Sequence, residues 1–196
     1  MIKKRIGIDL DNTIINYNNS FIQYLKEKKI YLKRIDKDKI KKISNDNPKI
    51  INWTHVQEKI YGKYIKYAKP FSYYKKFEKF ALKNNFKLFI ISHKTKYSEY
   101  SKRFNLHEKS KEWLKKNIKI DNYKIFFHNN INDKIKRISS LKLDYYIDDL
   151  DKIFKKKNYP KKTKKIFFSN KKLDNTFNLK NWKEILTFIK KNENIK

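Results

Sequence analysis

The sequence predicts an α/β protein with a doubly wound parallel β-sheet and a small helical cap inserted after the first strand. Three observations predict this fold: short apolar runs alternate with helical patterns, polar residues follow several of the runs, and a single long helical interval interrupts the alternation. Strands that alternate with helices form βαβ units, whose right-handed crossovers place all the strands' carboxyl ends at one edge of the sheet. Polar residues that follow different strands are therefore expected to meet there.

Five short apolar runs are the predicted strands. The first, residues 5–10, is rich in β-branched residues and too short for a helix, which is typical of a buried strand. Apolar residues three and four positions apart predict the helices between and after the strands. The predicted strands are 5–10, 87–91, 123–127, 144–147 and 164–168, and the predicted helices are 71–83, 106–116, 131–141 and 179–190.

The interval between the first and second runs contains helical patterns and no strand pattern. Three helices are predicted in it, at residues 21–28, 36–43 and 53–67. We therefore predict a core of residues 1–16 and 69–196 and a small helical cap of residues 17–68. The alternative is a helical decoration without a role in chemistry, which we consider weaker because the interval leaves directly from the first motif described below.

The charge of the chain is extreme. A net charge of +31 results from 51 Lys and Arg against 20 Asp and Glu. Such a charge attracts polyanions over long distances. However, only four of the cations are Arg, the residue best suited to fork-like phosphate contacts, whereas Lys, Asn, Ile, Tyr and Phe abound and Gly, Ala and Pro are scarce. That pattern favours an AT-rich coding bias, so we expect at most a weak interaction with nucleic acid.

Composition also excludes several classes. The chain has no cysteine, which excludes disulfides and thiolate metal sites. Apolar runs are far shorter than the ~20 residues that span a bilayer, and the first strand begins directly after the amino terminus. The two glycines lie far apart, so no glycine-rich phosphate loop exists. We expect a cytoplasmic protein without a membrane partner, and neither a Rossmann dehydrogenase nor a P-loop kinase.

Two carboxylates and a hydroxyl follow the first predicted strand. Asp9 and Asp11 lie two residues apart, and Asn12 and Thr13 come next. Paired acids at a buried strand end are costly to desolvate unless a cation, a proton or hydrogen bonds hold them. Ligands of open α/β sheets bind beyond the carboxyl ends of the strands, which favours a functional site. The simpler interpretation is a turn and helix cap, for which the same residue types are suited.

Later strands end in similar residues. Ser92 follows the second run, and the adjacent acids Asp148 and Asp149 end the fourth. Lys134 lies on a predicted helix fourteen positions before Asp148. Taken alone, Ser92 could be an ordinary turn residue and Lys134 one of many solvated lysines.

These motifs, in this order, resemble the four signatures of the haloacid dehalogenase-like (HAD) hydrolase superfamily, whose members are mostly magnesium-dependent phosphatases. The resemblance covers nearly the whole chain. Four further stretches look like those of a bacterial phosphatase-like branch whose members accompany surface-polysaccharide or nucleotide-sugar biosynthesis, an analogy with weak functional weight. The stretches are residues 57–62, 68–71, 91–97 and 146–150.

The resemblance implies a role for each motif residue. Asp9 is expected to be the nucleophile that forms an aspartyl-phosphate, and Asp11 its acid/base partner. Mg²⁺ is expected to bind Asp9, the backbone carbonyl of Asp11 and Asp148, with Asp149 as an outer or alternate ligand. Thr13, Ser92 and Lys134 are expected to hold the phosphoryl oxygens, although Lys136 or Lys94 could replace Lys134.

The expected function is therefore magnesium-dependent hydrolysis of a small phosphomonoester. Two alternatives remain open: a phosphatase acting on nucleic-acid ends, favoured by the charge, and a binding protein that keeps the fold without turnover. Residues 152–172, which contain ten lysines and no acid, are the best candidate for a polyanion site.

Overall fold

The structure is a computed structural model that describes residues 4–31, 37–46 and 52–195. It divides into two compact units. The first, here called the sheet unit, consists of Met1–Ile15, Pro70–His93 and Lys119–Lys196. The second, here called the helical unit, consists of Asn16–Lys69 and Lys94–Ile118. Two short strands, β2 (Ile15–Asn16) and β3 (Lys69–Pro70), pair with each other.

Six parallel strands form the sheet, in the order β5-β4-β1-β6-β7-β8. The strand that carries the first motif is central, with β4 and β6 as its neighbours. The predicted α/β class and parallel sheet are thereby confirmed. The strands are β1 (Arg5–Ile8), β4 (Lys87–His93), β5 (Tyr123–His128), β6 (Tyr145–Asp148), β7 (Lys164–Phe168) and β8 (Phe177–Leu179).

Helices cover both faces of this sheet because side chains alternate along each strand. On one face Phe89, Ile91 and Tyr146 pack with α6 and α7 around Ile135 and Ile153. On the other face the Trp182 ring of α8 lies between aromatic residues of α4 and β7, with centroids 4.7 Å from those of Tyr74 and Phe77 and 5.9 Å from that of Phe168. The helices of the sheet unit are α4 (Tyr74–Lys83), α6 (Ile131–Ser140), α7 (Asp151–Phe154) and α8 (Trp182–Asn192).

The end of the chain differs from the prediction. The helix predicted at 179–190 begins at Trp182, because the Asn181 side chain caps it by accepting a hydrogen bond from the Glu184 amide at 3.0 Å. Residues Phe177–Leu179 instead form the edge strand β8. Its three residues are too few for a periodic pattern, which explains why the sequence did not predict it.

The helical unit contains α1 (Asn18–Glu27), α2 (Lys37–Asp46), α3 (Trp53–Tyr61) and α5 (Leu106–Asn117). The single helix predicted at 53–67 is wrong: α3 ends before Gly62, and a short 3₁₀ turn follows at Ile65–Tyr67. A side chain at Gly62 would meet the Phe104 ring and the Glu58 carbonyl, so the break allows close packing. Helix α5, which the sequence analysis assigned to the core, belongs to this unit, and its Trp113 indole donates to the Ala68 carbonyl at 3.0 Å.

The helical unit contains the described residues of the predicted cap and adds residues 94–118. Residue 36, the predicted start of the second cap helix, lies outside the described residues. Among the helices of residues 4–31, 37–46 and 52–195, none is long and apolar enough to cross a membrane.

Candidate active site

The turn after β1 fixes the first motif. The amides of Ile14 and Ile15 both donate to the Leu10 carbonyl at 3.0 Å, and Asn12 adopts the left-handed region with φ of 60°. Asn tolerates that conformation better than most residues. The Trp182 indole donates to the Thr13 carbonyl at 2.9 Å and thus ties the turn to α8. The order of this loop therefore depends on backbone bonds and one core aromatic ring.

One buried lysine joins two of the predicted site carboxylates. Lys134, in the second turn of α6, donates from Nζ to Asp9 Oδ1 at 2.5 Å and to Asp148 Oδ2 at 2.7 Å. Lys134 and Asp148 are fully buried, and Asp9 is 4% exposed. Buried charges occur where they are paired in this way. The structure thus brings together residues from β6, α6 and the end of β1 that are up to 139 positions apart.

Asp149 completes a cluster of three acids. One carboxylate oxygen from each of Asp9, Asp148 and Asp149 lies within 4.8 Å of the others. Asp148 Oδ1 also accepts a hydrogen bond from the Leu150 amide at 2.8 Å, which holds the carboxylate at the strand end. Among the described residues, this is the one group of three metal-ligating side chains that are close enough to share an ion.

The charges in this cluster perturb each other. Burial raises the pKa of Asp9 well above its ordinary range; Lys134 opposes that rise, and the nearby acids Asp148, Asp149 and Asp11 reinforce it. Burial by itself would lower the pKa of Lys134, but Asp148 and Asp9 outweigh it and raise that pKa above its ordinary value. The ammonium group of Lys134 therefore stays charged.

Two buried hydroxyls near the strand ends have no partner. Thr13 Oγ1, in the turn after β1, and Ser92 Oγ, near the end of the neighbouring strand β4, make no hydrogen bond within the described part of the chain. Both residues are at most 1% exposed. Buried polar groups in native proteins almost always find a partner, so each of these hydroxyls is available to a ligand or a water molecule. These are the two hydroxyls that the sequence analysis assigned to phosphate binding.

The structure distinguishes the three candidate lysines. Lys136 is solvent-exposed on α6, with its ammonium 3.5 Å from Asp133. Lys94 belongs to the helical unit, where Nζ donates to Ser110 at 2.9 Å and lies 4.7 Å from the centroid of the Tyr61 ring. Lys134 is the candidate that contacts Asp9 and Asp148.

Asp11 occupies a different position from the other acids. It is partly exposed, forms an isolated bridge with Ile15, and its carboxylate is not one of the three that cluster within the described residues. The roles given to it, an acid/base group and a backbone carbonyl ligand, stay predictions.

Sequence reasoning missed Tyr146. Its hydroxyl lies 2.9 Å from Asp148 Oδ2 and 3.1 Å from the Ile91 carbonyl oxygen. The available signal was the two-residue spacing from Asp148, which puts both side chains on one face of β6. A tyrosine in an apolar strand usually fills the core, so this spacing alone did not single it out.

Solved structures share this architecture over their whole length. A HAD-superfamily hydrolase from Ehrlichia chaffeensis superposes with a TM-score of 0.55 at 14% identity, covering 97% of this chain and 98% of that one. A haloacid dehalogenase-like family hydrolase from Streptococcus pneumoniae gives a TM-score of 0.57 at 15% identity, covering 95% and 98%. The chain has the HAD-like hydrolase fold. No protein-family model matches its sequence, and no curated protein sequence matches it.

The donor set of the acidic cluster suits a hard divalent cation. Carboxylate oxygens are the ligands that Mg²⁺ prefers, and it needs only one or two of them besides water. Burial is the main cause of the raised pKa of Asp9, and the nearby acids Asp148 and Asp149 add to it, so a bound cation would favour the ionised carboxylate. The three carboxylates of the acidic cluster are close enough to one another to hold such a cation together.

Replacing Lys134 with Met tests the role of this lysine in stability. We expect the free energy of unfolding, measured by urea denaturation in EDTA, to fall by about 3 kcal/mol, because the change leaves two buried carboxylates without their cation. The matched control is Lys136→Met on the same helix, which is 77% exposed and should change stability by less than about 0.5 kcal/mol. Equal effects of the two substitutions would contradict a stabilising role for the buried ion pairs.

Proposed function

We propose that the protein is a magnesium-dependent phosphohydrolase that acts on a small phosphomonoester through an aspartyl-phosphate. The observation that carries this proposal is the pair of buried, unpartnered hydroxyls of Thr13 and Ser92 in the unit that also holds the Lys134–Asp9 ion pair. A phosphoryl group has three equatorial oxygens that need donors and positive charge. The HAD-like fold supports the same interpretation.

Asp9 is the proposed nucleophile. One of its carboxylate oxygens attacks phosphorus in line with the leaving oxygen, so the P–O bond to the leaving group breaks as the bond to Asp9 forms. Lys134, 2.5 Å from Asp9 Oδ1, orients the carboxylate and offsets the negative charge of the incoming phosphate. Water then hydrolyses the acyl-phosphate and regenerates Asp9.

Asp11 is the proposed acid/base group. It donates a proton to the leaving oxygen in the first step and accepts one from the attacking water in the second. Its partial exposure and its bridge to Ile15, at the end of the ordered turn, support a role beside the entering substrate. Thr13 and Ser92 would donate their hydroxyl protons to the phosphoryl oxygens.

Asp9, Asp148 and the backbone carbonyl of Asp11 would hold Mg²⁺, with Asp149 as an outer or alternate ligand. When bound, the ion supplies positive charge that polarises the phosphoryl group and permits the dianionic substrate to approach the acids. The proximity of three carboxylate oxygens, all within 4.8 Å of one another, supports this assignment.

Substituting the two motif acids tests the chemistry. Asp9→Asn should reduce phosphate release to background, because the amide is not a nucleophile. Asp11→Asn should slow release about 10²–10⁴-fold, the usual contribution of general acid–base catalysis, and should trap an acyl-phosphate detectable by mass spectrometry of the acid-quenched protein. The exposed Asp174→Asn is the control and should match the unmodified protein. Normal turnover by Asp9→Asn would refute the nucleophile assignment.

Metal removal tests the magnesium requirement. We expect EDTA to abolish phosphate release and added Mg²⁺ to restore it. Ca²⁺ should restore it poorly, because its looser, higher coordination does not hold the phosphoryl group and nucleophile in line. Full activity in EDTA after exhaustive dialysis would contradict a metal-dependent mechanism.

Substrate choice is proposed to depend on the helical unit, which includes the predicted cap of residues 17–68. Its aromatic residues Tyr17 and Tyr61 pack edge to face, with ring centroids 4.9 Å apart. A screen of sugar phosphates, nucleotides and phosphorylated oligonucleotides would identify the substrate class.

Hydrolysis of phosphate from nucleic-acid ends is the second candidate function. Seven lysines between residues 152 and 164 are exposed, and the neighbouring acid Asp151 pairs with one of them, Lys155, at 2.5 Å. No exposed aromatic residue that could stack on bases lies among described residues 152–164, since Phe154 and Tyr159 are buried. Lysines alone give an affinity that is sequence-indifferent and salt-sensitive.

Oligonucleotide binding separates the two functions. We expect weak binding in fluorescence anisotropy, with log affinity falling by ~0.7 per neutralised phosphate for each unit of log salt. Exchanging Lys155, Lys156, Lys161 and Lys162 for Gln should weaken it no more than the same exchange on α4, at Lys75, Lys76, Lys79 and Lys83. Submicromolar affinity at physiological salt that only the first exchange abolishes would make the nucleic-acid phosphatase the leading function.

A further inference from the structure

Tyr146 connects the candidate metal site to the strand that carries Ser92. Its side chain is fully buried, and its hydroxyl lies between Asp148 Oδ2 at 2.9 Å and the Ile91 carbonyl oxygen at 3.1 Å. The charged carboxylate is the stronger acceptor for the single hydroxyl proton. Ile91 directly precedes Ser92, so one phenol group lies against both the acid of β6 and the end of β4.

Gly7 makes this connection possible. In the sheet, Gly7 of the central strand lies beside Tyr146 on one side and Phe89 on the other. A Cβ atom at Gly7 would lie 2.8 Å from Tyr146 Cδ2 and 2.4 Å from Leu143 Cδ1, both closer than such contacts occur. Because glycine has no side chain, the Tyr146 ring can extend across β1 and bring its hydroxyl to a carbonyl two strands away.

Asp148 is held by three donors: one from α6, one from its own strand, and the backbone amide two residues after it. Oδ2 accepts from Lys134 Nζ at 2.7 Å and from Tyr146, and Oδ1 accepts from the Leu150 amide at 2.8 Å. Lys134 is shared with Asp9, so it does not restrain Asp148 independently. Tyr146 is the donor that fixes the carboxylate relative to the sheet itself.

We propose that Tyr146 is a positioning residue that orients Asp148 for the divalent cation and aligns it with the strand of Ser92. This inference rests on the proposed function. Groups that hydrogen-bond a metal-ligating carboxylate from outside fix its orientation, and their loss typically weakens metal affinity 10–100-fold. The chemistry of Asp9 is not altered directly, so the loss should appear in metal binding before it appears in the chemical step.

Tyr145 provides a matched control on the same strand. It is as deeply buried as Tyr146, but it points to the opposite face, where its hydroxyl donates to Glu193. Tyr145→Phe therefore removes a buried, hydrogen-bonded phenol oxygen from the residue adjacent to Tyr146 and leaves the contacts of the acidic cluster unchanged. Any effect of packing loss alone should be common to both substitutions.

The test measures binding of Mg²⁺ alone to the full chain by isothermal titration calorimetry. Tyr146→Phe should weaken Mg²⁺ binding about 10-fold or more, whereas Tyr145→Phe should leave it unchanged. Incorporating p-aminophenylalanine at position 146 keeps a hydrogen-bond donor in place and should restore Mg²⁺ affinity. This variant also tests the proposal if Tyr146→Phe does not fold. In phosphate release, Tyr146→Phe should require more Mg²⁺ for half-maximal rate while kcat at saturating Mg²⁺ changes little.

The outcomes separate this proposal from the function on which it rests. Equal Mg²⁺ affinity for the unmodified protein and Tyr146→Phe would overturn the positioning role alone. So would equal losses in the Tyr145 and Tyr146 variants, or p-aminophenylalanine failing to restore affinity. No measurable Mg²⁺ binding or phosphate release by the unmodified protein would overturn the proposed function, and the positioning role with it.

Discussion

The buried Lys134 ammonium between Asp9 and Asp148 is the interaction on which the site depends. Moving any one of these three charges out of water costs several kcal/mol, and only close, hydrogen-bonded contact with opposite charge offsets that cost. At 2.5 and 2.7 Å, both contacts are short enough to do so. Two carboxylates next to one ammonium still leave a net negative charge, and the third acid, Asp149, increases it. The same arrangement that makes burial tolerable therefore leaves the cluster attractive to a cation.

The topology of the sheet makes this triad possible. The first motif follows the central strand β1, and Asp148 ends the adjacent parallel strand β6, so register alone brings the two acids to one edge. Helix α6, which packs over β4 and β5 on the same face as Tyr146, delivers Lys134 to that edge. Its start is fixed by the Asn130 cap, whose side chain accepts from the Asp133 amide at 2.9 Å. A shift of that cap by one residue would rotate Lys134 about 100° around the helix axis.

The sequence predicted the parts of this structure that depend on strong local patterns. Apolar runs followed by acids identified the strand ends, and the order of the motifs pointed to Asp9, Asp148 and Lys134. Periodicity could not distinguish Lys134 from Lys136, because both lie on one helix and only the direction of each side chain separates a buried from an exposed lysine. The structure makes that distinction through the contacts of Lys134.

Features that depend on non-local contacts were not predictable in the same way. The end of α3 at Gly62 depends on Phe104, a residue far along the chain, and the assignment of α5 to the helical unit depends on contacts such as Trp113 with Ala68. Tyr146 is the clearest case. Its hydroxyl reaches Ile91 only because the residue between them in the sheet is glycine, and no window of sequence contains all three positions.

The exposed lysines and the buried Lys134 contribute to the charge of this protein in different ways. Most of the lysines in the described part of the chain are exposed, and water and salt screen their field within about 10 Å. Lys134 is different because its charge is buried. Its two acidic partners raise its pKa by more than burial lowers it. In the proposed reaction a phosphate would meet an ammonium already desolvated and oriented, so little further reorganisation would be needed when negative charge arrives. The net charge of +31 attracts anions to the protein over long distances, whereas the proposed role of Lys134 is to hold one anion beside Asp9.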